Sequence, residues 1–278
     1  MLPPGESMAE AGVEFNPGYE LTQLEDDVFE ARFPYSFGGL TLAAATLLAG
    51  RSCPDKRFRS SHLWFLRGTP IDSPFRIEIE RMRDGRLLSH RRVQMIAGDK
   101  LLCEMTASFT APGQGADVLA ARPDPDIPLP EDLPTAQETA AAEGWDWDDS
   151  EHEYEWRFVG RPYVSSQMKI SKWYAWCRPV RPFVDEDATH AAAFAFMSDN
   201  HSDWAAGLMI ENFRHENFIS LDNAIWAHRP IDWTNWYLCS SVCDIGVNGA
   251  MYTRRQVFDR AGDLVASIAQ EAIHIDPS

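Results

Sequence analysis

Apolar and polar positions alternate with a period of two over much of this chain, and the alternation is broken twice by alanine-rich runs of helical length. The first run, FGGLTLAAATLLAG (37–50), opens on glycines and is apolar on nearly every side. Four strand-like pieces follow it: FRSSHLWFLRG (58–68), PFRIEIERMRDG (74–85), LLSHRRVQMIAG (87–98) and KLLCEMTASFT (100–110). Their β-branched and aromatic content, with DG and GD turn signals between them, predicts antiparallel strands. The second run, THAAAFAFMSD (189–199), precedes FISLDNAIWAHRP (218–230), NWYLCSSVCDIGV (235–247), AMYTRRQVFDRAG (250–262) and LVASIAQEAI (264–273). The order repeats at a separation of about 163 residues, at which Arg91-Arg92 answers Arg254-Arg255 and Gly98-Asp99 answers Gly262-Asp263. A helix and four antiparallel strands, occurring twice, predict two α+β units in tandem. A helix without a polar face needs a curved sheet wrapped around it.

Between the halves the pattern lapses. RPDPDIPLPEDLP (122–134) is proline-rich and predicts an extended connector, while WDWDDSEHEYEW (145–156) mixes aromatics with acids and can lie against a domain. The expected division is an N-terminal unit at 1–111, an acidic linker at 112–160 and a C-terminal unit at 161–278. The net charge of -17 belongs mostly to the connector, where Pro112 to Trp156 holds 13 Asp and Glu against one Arg. The remainder carries 29 acids and 24 bases, close to balance. No basic stripe stands out, so nucleic acid is not an expected partner. No run of about 18 apolar residues exists to span a membrane as a helix, and the first residues lack the basic and apolar regions of a secretory signal. A cytoplasmic protein is expected. Five scattered cysteines without a C-x-x-C pair, and eight histidines without metal-ligand spacing, predict neither a disulfide framework nor a metal site.

One residue of the last strand is out of place. Leu264, Ala266, Ile268, Gln270 and Ala272 share a strand face, and only Gln270 is polar. A buried amide without partners costs about 1–3 kcal/mol, so Gln270 must be bonded to something.

FGG at 37–39 before an Ala-rich helix, HLWFLRG with the RMRDGR turn and HRR, AFMSD, ISLDNAIWAHRP and LVASIAQEAI together resemble the acyl-CoA thioesterase II family. The resemblance spans roughly residues 20–110 and 170–275. It implies a tandem double hotdog, two antiparallel sheets each wrapped around a central helix, with homo-oligomers common. It also implies hydrolysis of acyl-CoA to free acid and CoA, without metal or organic cofactor. By motif, the family's water-holding Asp, Thr or Ser, and Gln fall on Asp199, Ser220 and Gln270. The first half has no such set, and the position matching Gln270 there is Ala107.

Within that framework Asp199 is the expected general base, with Ser220 and Gln270 aiming the water. Asp199 shares a helix face with Phe196, Ala195 and Ala192, and its alternative role is a helix end cap. Gly38 and Gly39 stand at a helix start, where free N–H groups converge. They are expected either to stabilise an oxyanion or to permit close packing. Arg91 and Arg92 are candidate contacts for the CoA phosphates. The tryptophans, Trp64, Trp173, Trp176, Trp226 and Trp236 among them, are expected in the core. Two departures are visible: Leu40 where the family usually has Gln after F-G-G, and Asp222-Asn223 where it commonly shows D-H. They leave open a weakly catalytic acyl-thioester binder, and His201 near Asp199 leaves open an enoyl-CoA hydratase.

Overall fold

The alanine-rich runs form two helices that expose almost nothing. Helix α1 (Gly38–Arg51) is buried continuously from Gly39 to Gly50. Strands β1 (Glu20–Glu25) and β2 (Val28–Arg32) precede it, and β3 (Arg57–Phe65), β4 (Phe75–Asp84), β5 (Leu88–Ala97) and β6 (Lys100–Thr110) follow. The connection carries a short helix, α2 (Ala136–Glu143). The second half contains β7 (Tyr154–Val159), β8 (Lys172–Pro179) and α3 (Asp187–Asp199), then β9 (Phe218–Ser220), β10 (Asp222–Ala227), β11 (Tyr237–Val247), β12 (Ala250–Phe258) and β13 (Leu264–His274). Helix α3 is buried from Ala188 through Asp199. This computed structural model describes residues 15–113, 120–124, 126–144, 147, 153–160, 172–184, 186–201 and 217–275. Strand β7 falls inside the stretch expected to be linker, and residues 161–171 at the expected domain boundary lie outside the described residues.

The two expected sheets are continuous. Strand order is β1-β2-β4-β5-β6-β3-β10-β13-β12-β11-β8-β7, with β9 paired to β13. Every strand pairing is antiparallel, and the halves join where β3 pairs β10. The order reads symmetrically outward from that joint, as a repeated unit should.

The two helices pack on each other with opposite polarity. A Cβ on Gly39 would lie 2.8 Å from the backbone oxygen of Phe196, and one on Gly50 would lie 2.9 Å from Ala188 Cβ. The start of α1 therefore sits by the end of α3, and the reverse holds at the other end. Trp173, Trp176 and Trp236 are buried as expected, whereas Trp64 and Trp226 are 50% and 46% exposed. They stand on β3 and β10, where alternate side chains point away from the helices.

Gly39→Ala pushes a methyl group into a backbone carbonyl that cannot rotate away. It is expected to lower the unfolding free energy by about 1–3 kcal/mol, measured by urea denaturation.

Candidate active site

Helix α3 stops at Asp199 because Asn200 leaves helical geometry, at φ -66° and ψ 129°. The buried Arg255 on β12 holds that end: Nη1 donates to Met197 O at 3.3 Å and Nη2 to Asn200 O at 2.9 Å. A cation at a helix C-terminus satisfies carbonyls that have no intrahelical partner. Two strands reach the same point. Ser220 ends β9, paired with Ala272 of β13, and Gln270 lies on the buried face of β13 opposite Thr253.

The structure brings Asp199, Ser220 and Gln270 together. Gln270 Nε2 donates to Asp199 Oδ1 at 2.7 Å and to Ser220 Oγ at 2.7 Å, and Ser220 Oγ donates to Asp199 Oδ1 at 3.3 Å. Asp199 is 7% exposed and Gln270 2%, so these bonds form largely away from solvent. The out-of-place amide thus donates to a carboxylate and a hydroxyl, each on a different element.

Gly38 borders this cluster. A Cβ there would collide with Asp199 Oδ2 and lie 2.9 Å from Phe65 Cζ, so only glycine leaves the carboxylate room. In the first turn of α1, Leu40 N–H and Thr41 N–H donate to Phe37 O, while the Gly38 and Gly39 N–H groups have no acceptor among the described residues. Gly38 is half-buried and Gly39 buried. Close packing and free donors, posed as alternatives, coexist here. Leu40 is fully buried core.

The expected CoA contacts are placed differently. Arg91 is 1% exposed, and its guanidinium donates to Ser52 Oγ, Ser52 O, Arg83 O, His90 O and Asp84 Oδ1 at 2.7–3.2 Å. It holds the end of α1 as Arg255 holds α3, which excludes it from a solvent-borne phosphate. Its guanidinium, with the Ser89 hydroxyl, holds the Asp84 carboxyl below the usual range. Arg92 is more exposed, but Nη1 donates to Glu80 Oε2 at 2.8 Å. Arg92 would have to exchange a carboxylate for a phosphate.

Asn223 was singled out from the sequence only as a departure. It is fully buried, and Nδ2 donates to Gln270 Oε1 at 3.2 Å. The available signal was the one that exposed Gln270: a polar residue on a strand face shared with Ile225 and Ala227. His201 lies edge-on against Trp156, with ring centroids 4.9 Å apart. Ser202, which with His201 could take part in the alternative cap by Asp199, lies outside the described residues. All five cysteines are buried thiols, and burial pushes Cys103 up to about 12. Among the described residues no group of three His, Cys, Asp or Glu could hold a metal.

The two buried arginines also align the halves. Arg91 pairs across to Ala107 and Arg255 to Ile268, which sets Phe109 in the place of Gln270. Ala107 is one pairing step away, so the sequence alignment was displaced by two residues. Arg51, just before the α1 cap, takes the place of Asp199, and a cavity of about 300 Å³ there is lined by Arg51, Phe58 and Phe109. The first half therefore offers neither carboxylate nor amide at the corresponding point.

Comparison with known families matches both halves. Residues 31–111 match the acyl-CoA thioesterase N-terminal domain, and residues 130–274 match the acyl-CoA thioesterase C-terminal domain. The chain belongs to the acyl-CoA thioesterase family. It is a thioester hydrolase acting on acyl-CoA. The acyl-CoA thioesterase 2 of Haemophilus influenzae is 24% identical over 282 residues, covering 91% of this chain and 94% of the relative. Acyl-coenzyme A thioesterase 8 of Mus musculus is 26% identical, at 91% and 86% coverage. Among solved structures, the acyl-CoA thioesterase II TesB2 of Mycobacterium marinum is 28% identical with a TM-score of 0.76, covering 93% of this chain and 97% of that one. A hotdog-fold protein of Alicyclobacillus acidocaldarius shares the fold at a TM-score of 0.75 and 19% identity, with 93% and 97% coverage. Each half of this thioesterase is accordingly a hotdog.

Arg91→Met in this thioesterase strips the end of α1 of its donors and is expected to cost about 2–4 kcal/mol in urea unfolding. Steady-state KM for acyl-CoA in the folded fraction should stay within about twofold, as for a group that does not touch substrate.

Proposed function

We infer that this thioesterase hydrolyses acyl-CoA with a water activated by Asp199. The observation that carries this reading is the cluster itself, in which one buried carboxylate, one hydroxyl and one carboxamide lie within 2.7–3.3 Å of one another. Oδ1 of Asp199 is engaged by Gln270 and Ser220, and Oδ2 faces the start of α1. Asp199 takes a proton from water as its oxygen attacks the thioester carbonyl carbon. Negative charge grows on the carbonyl oxygen, where the N–H groups of Gly38 and Gly39, without an acceptor among the described residues, and the positive end of α1 receive it. The tetrahedral adduct then collapses. The C–S bond breaks, the proton held by Asp199 passes to sulfur, and free acid and CoA thiol leave.

The reading extends to setting and assembly. Five unpaired thiols suit a reducing compartment such as the cytoplasm. A second copy of the chain would cover the half-exposed Trp64 and Trp226 on the central strands. Sedimentation should then give a multiple of 31.4 kDa, with Trp64→Glu reducing it.

Asp199→Asn is expected to lower kcat by about 100-fold or more in a free-thiol assay across short, medium and long acyl-CoAs. The wild-type rate should fall on the acid side, as the base becomes protonated. Undiminished thiol release from Asp199→Asn would refute the assignment. Gly38→Ala, whose methyl group strikes the carboxylate, should lower kcat by roughly tenfold or more without unfolding the chain.

A further inference from the structure

Gln270 has two N–H groups and one carbonyl, and the protein engages all three. Nε2 lies 2.7 Å from both Asp199 Oδ1 and Ser220 Oγ, so each amide proton has its acceptor. Among the described residues the carbonyl Oε1 has one donor, Asn223 Nδ2 at 3.2 Å. Asn223 is 0% exposed, so bulk water does not replace that donor. The neighbouring Ser198 hydroxyl carries a single proton and lies nearer Ala195 O, at 2.7 Å, than Asn223 Oδ1, at 3.4 Å. The Asn223 side chain is therefore held chiefly by Gln270, and the Gln270 carbonyl by Asn223.

Polarity in this chain of contacts runs one way. Turning a carboxamide by half a rotation exchanges O for N at little steric cost. In Gln270 that rotation would set Oε1 against the Asp199 carboxylate, acceptor on acceptor. The donating orientation leaves a buried carbonyl, and a residue with an N–H is needed behind it.

We propose that Asn223 is a positioning residue for thioester hydrolysis: it holds the Gln270 carbonyl so that both amide protons stay turned toward Asp199 and Ser220. It acts through Gln270 and touches neither water nor substrate. This rests on the reading of Asp199, Ser220 and Gln270 as the set that holds the water.

Thiol release and thermal melting of single and double variants test it. Asn223→Ala should lower kcat by about ten- to a hundredfold with KM nearly unchanged. In a Gln270→Ala background the same change should cost less than about threefold, because its target is gone. Asn223→His keeps an N–H donor and should retain more activity than Asn223→Ala.

Asn223→Asp supplies a readout that packing alone does not move. Its carboxyl donates to Oε1 when protonated and repels it when ionised. Activity should be present below the new group's pKa and lost as pH rises, adding an alkaline limb to the wild-type profile. Among the described residues, the charged groups near this point are Asp199 on α3 and Arg255 reaching the same helix end from β12. The His62–Asp222 pair lies on the outer face of β3 and β10.

Additive losses in the double variant, or an Asn223→Asp profile with the wild-type pH dependence, would overturn the proposal. Full turnover by Gln270→Ala would overturn the water-holding reading and this proposal together. Impaired Gln270→Ala beside an unimpaired Asn223→Ala would overturn this proposal alone.

Discussion

Two helices with no polar face dominate this fold. Each is too apolar to border water, so each is buried against the other and beneath the sheet. Glycine and alanine at the crossing let the backbones approach, at Gly39 against Phe196 and at Gly50 against Ala188. Opposite polarity then brings a helix start beside a helix end twice. At one junction the start of α1 at Gly38 lies beside the Asp199 carboxylate. At the other, Arg51 and Glu186 form an ion pair at 3.1 Å. One packing arrangement thus yields two chemically different junctions.

Burial makes the polar cluster exacting. An unsatisfied donor or acceptor costs about 1–3 kcal/mol in such a place, so the groups must fit one another as well as any substrate. A carboxylate that only accepts sets the direction: Gln270 must present its N–H groups, and its carbonyl must then find a donor in Asn223. Thr253 adds a hydroxyl bond to the backbone carbonyl of Gln270 at 3.4 Å. The same contacts therefore fix the geometry of the cluster and satisfy its buried polar groups.

The joint between the halves also shapes the site. Strand β10 pairs with β3 of the first half on one side and β13 on the other, which seats Asn223 opposite Gln270. At Leu221, between β9 and β10, the backbone bonds both ways: its N–H donates to Glu271 O and its carbonyl accepts from Phe65 N–H. His62 and Asp222 tie the same strands from outside at 3.1 Å. Arg91 and Arg255 show what the repeat kept, a buried cation at each helix end. Arg51 and Phe109 show what it changed, in the places of Asp199 and Gln270.

The repeat, the two helices and most strand positions were legible in the chain, because period-two alternation and all-round apolarity are local properties. The helix read at 189–199 is Asp187–Asp199, and the strand read at 264–273 is Leu264–His274. Gln270 stood out for the same reason, as one polar letter on an apolar face. Strands β1, β2, β7 and β8 were not read: β1 is almost wholly exposed and lacks an apolar face, and the alternating YEWRFV of β7 falls inside the acidic stretch taken as linker. Arg91 and Arg92 look equivalent in sequence, and only the pleat decides that one enters the protein while the other faces Glu80. Asn223 likewise gained a role only through a cross-strand neighbour 47 residues away. Local pattern determined which elements form. The close approach of two helices and the pairing across β3 and β10, both long-range, decided which side chains meet.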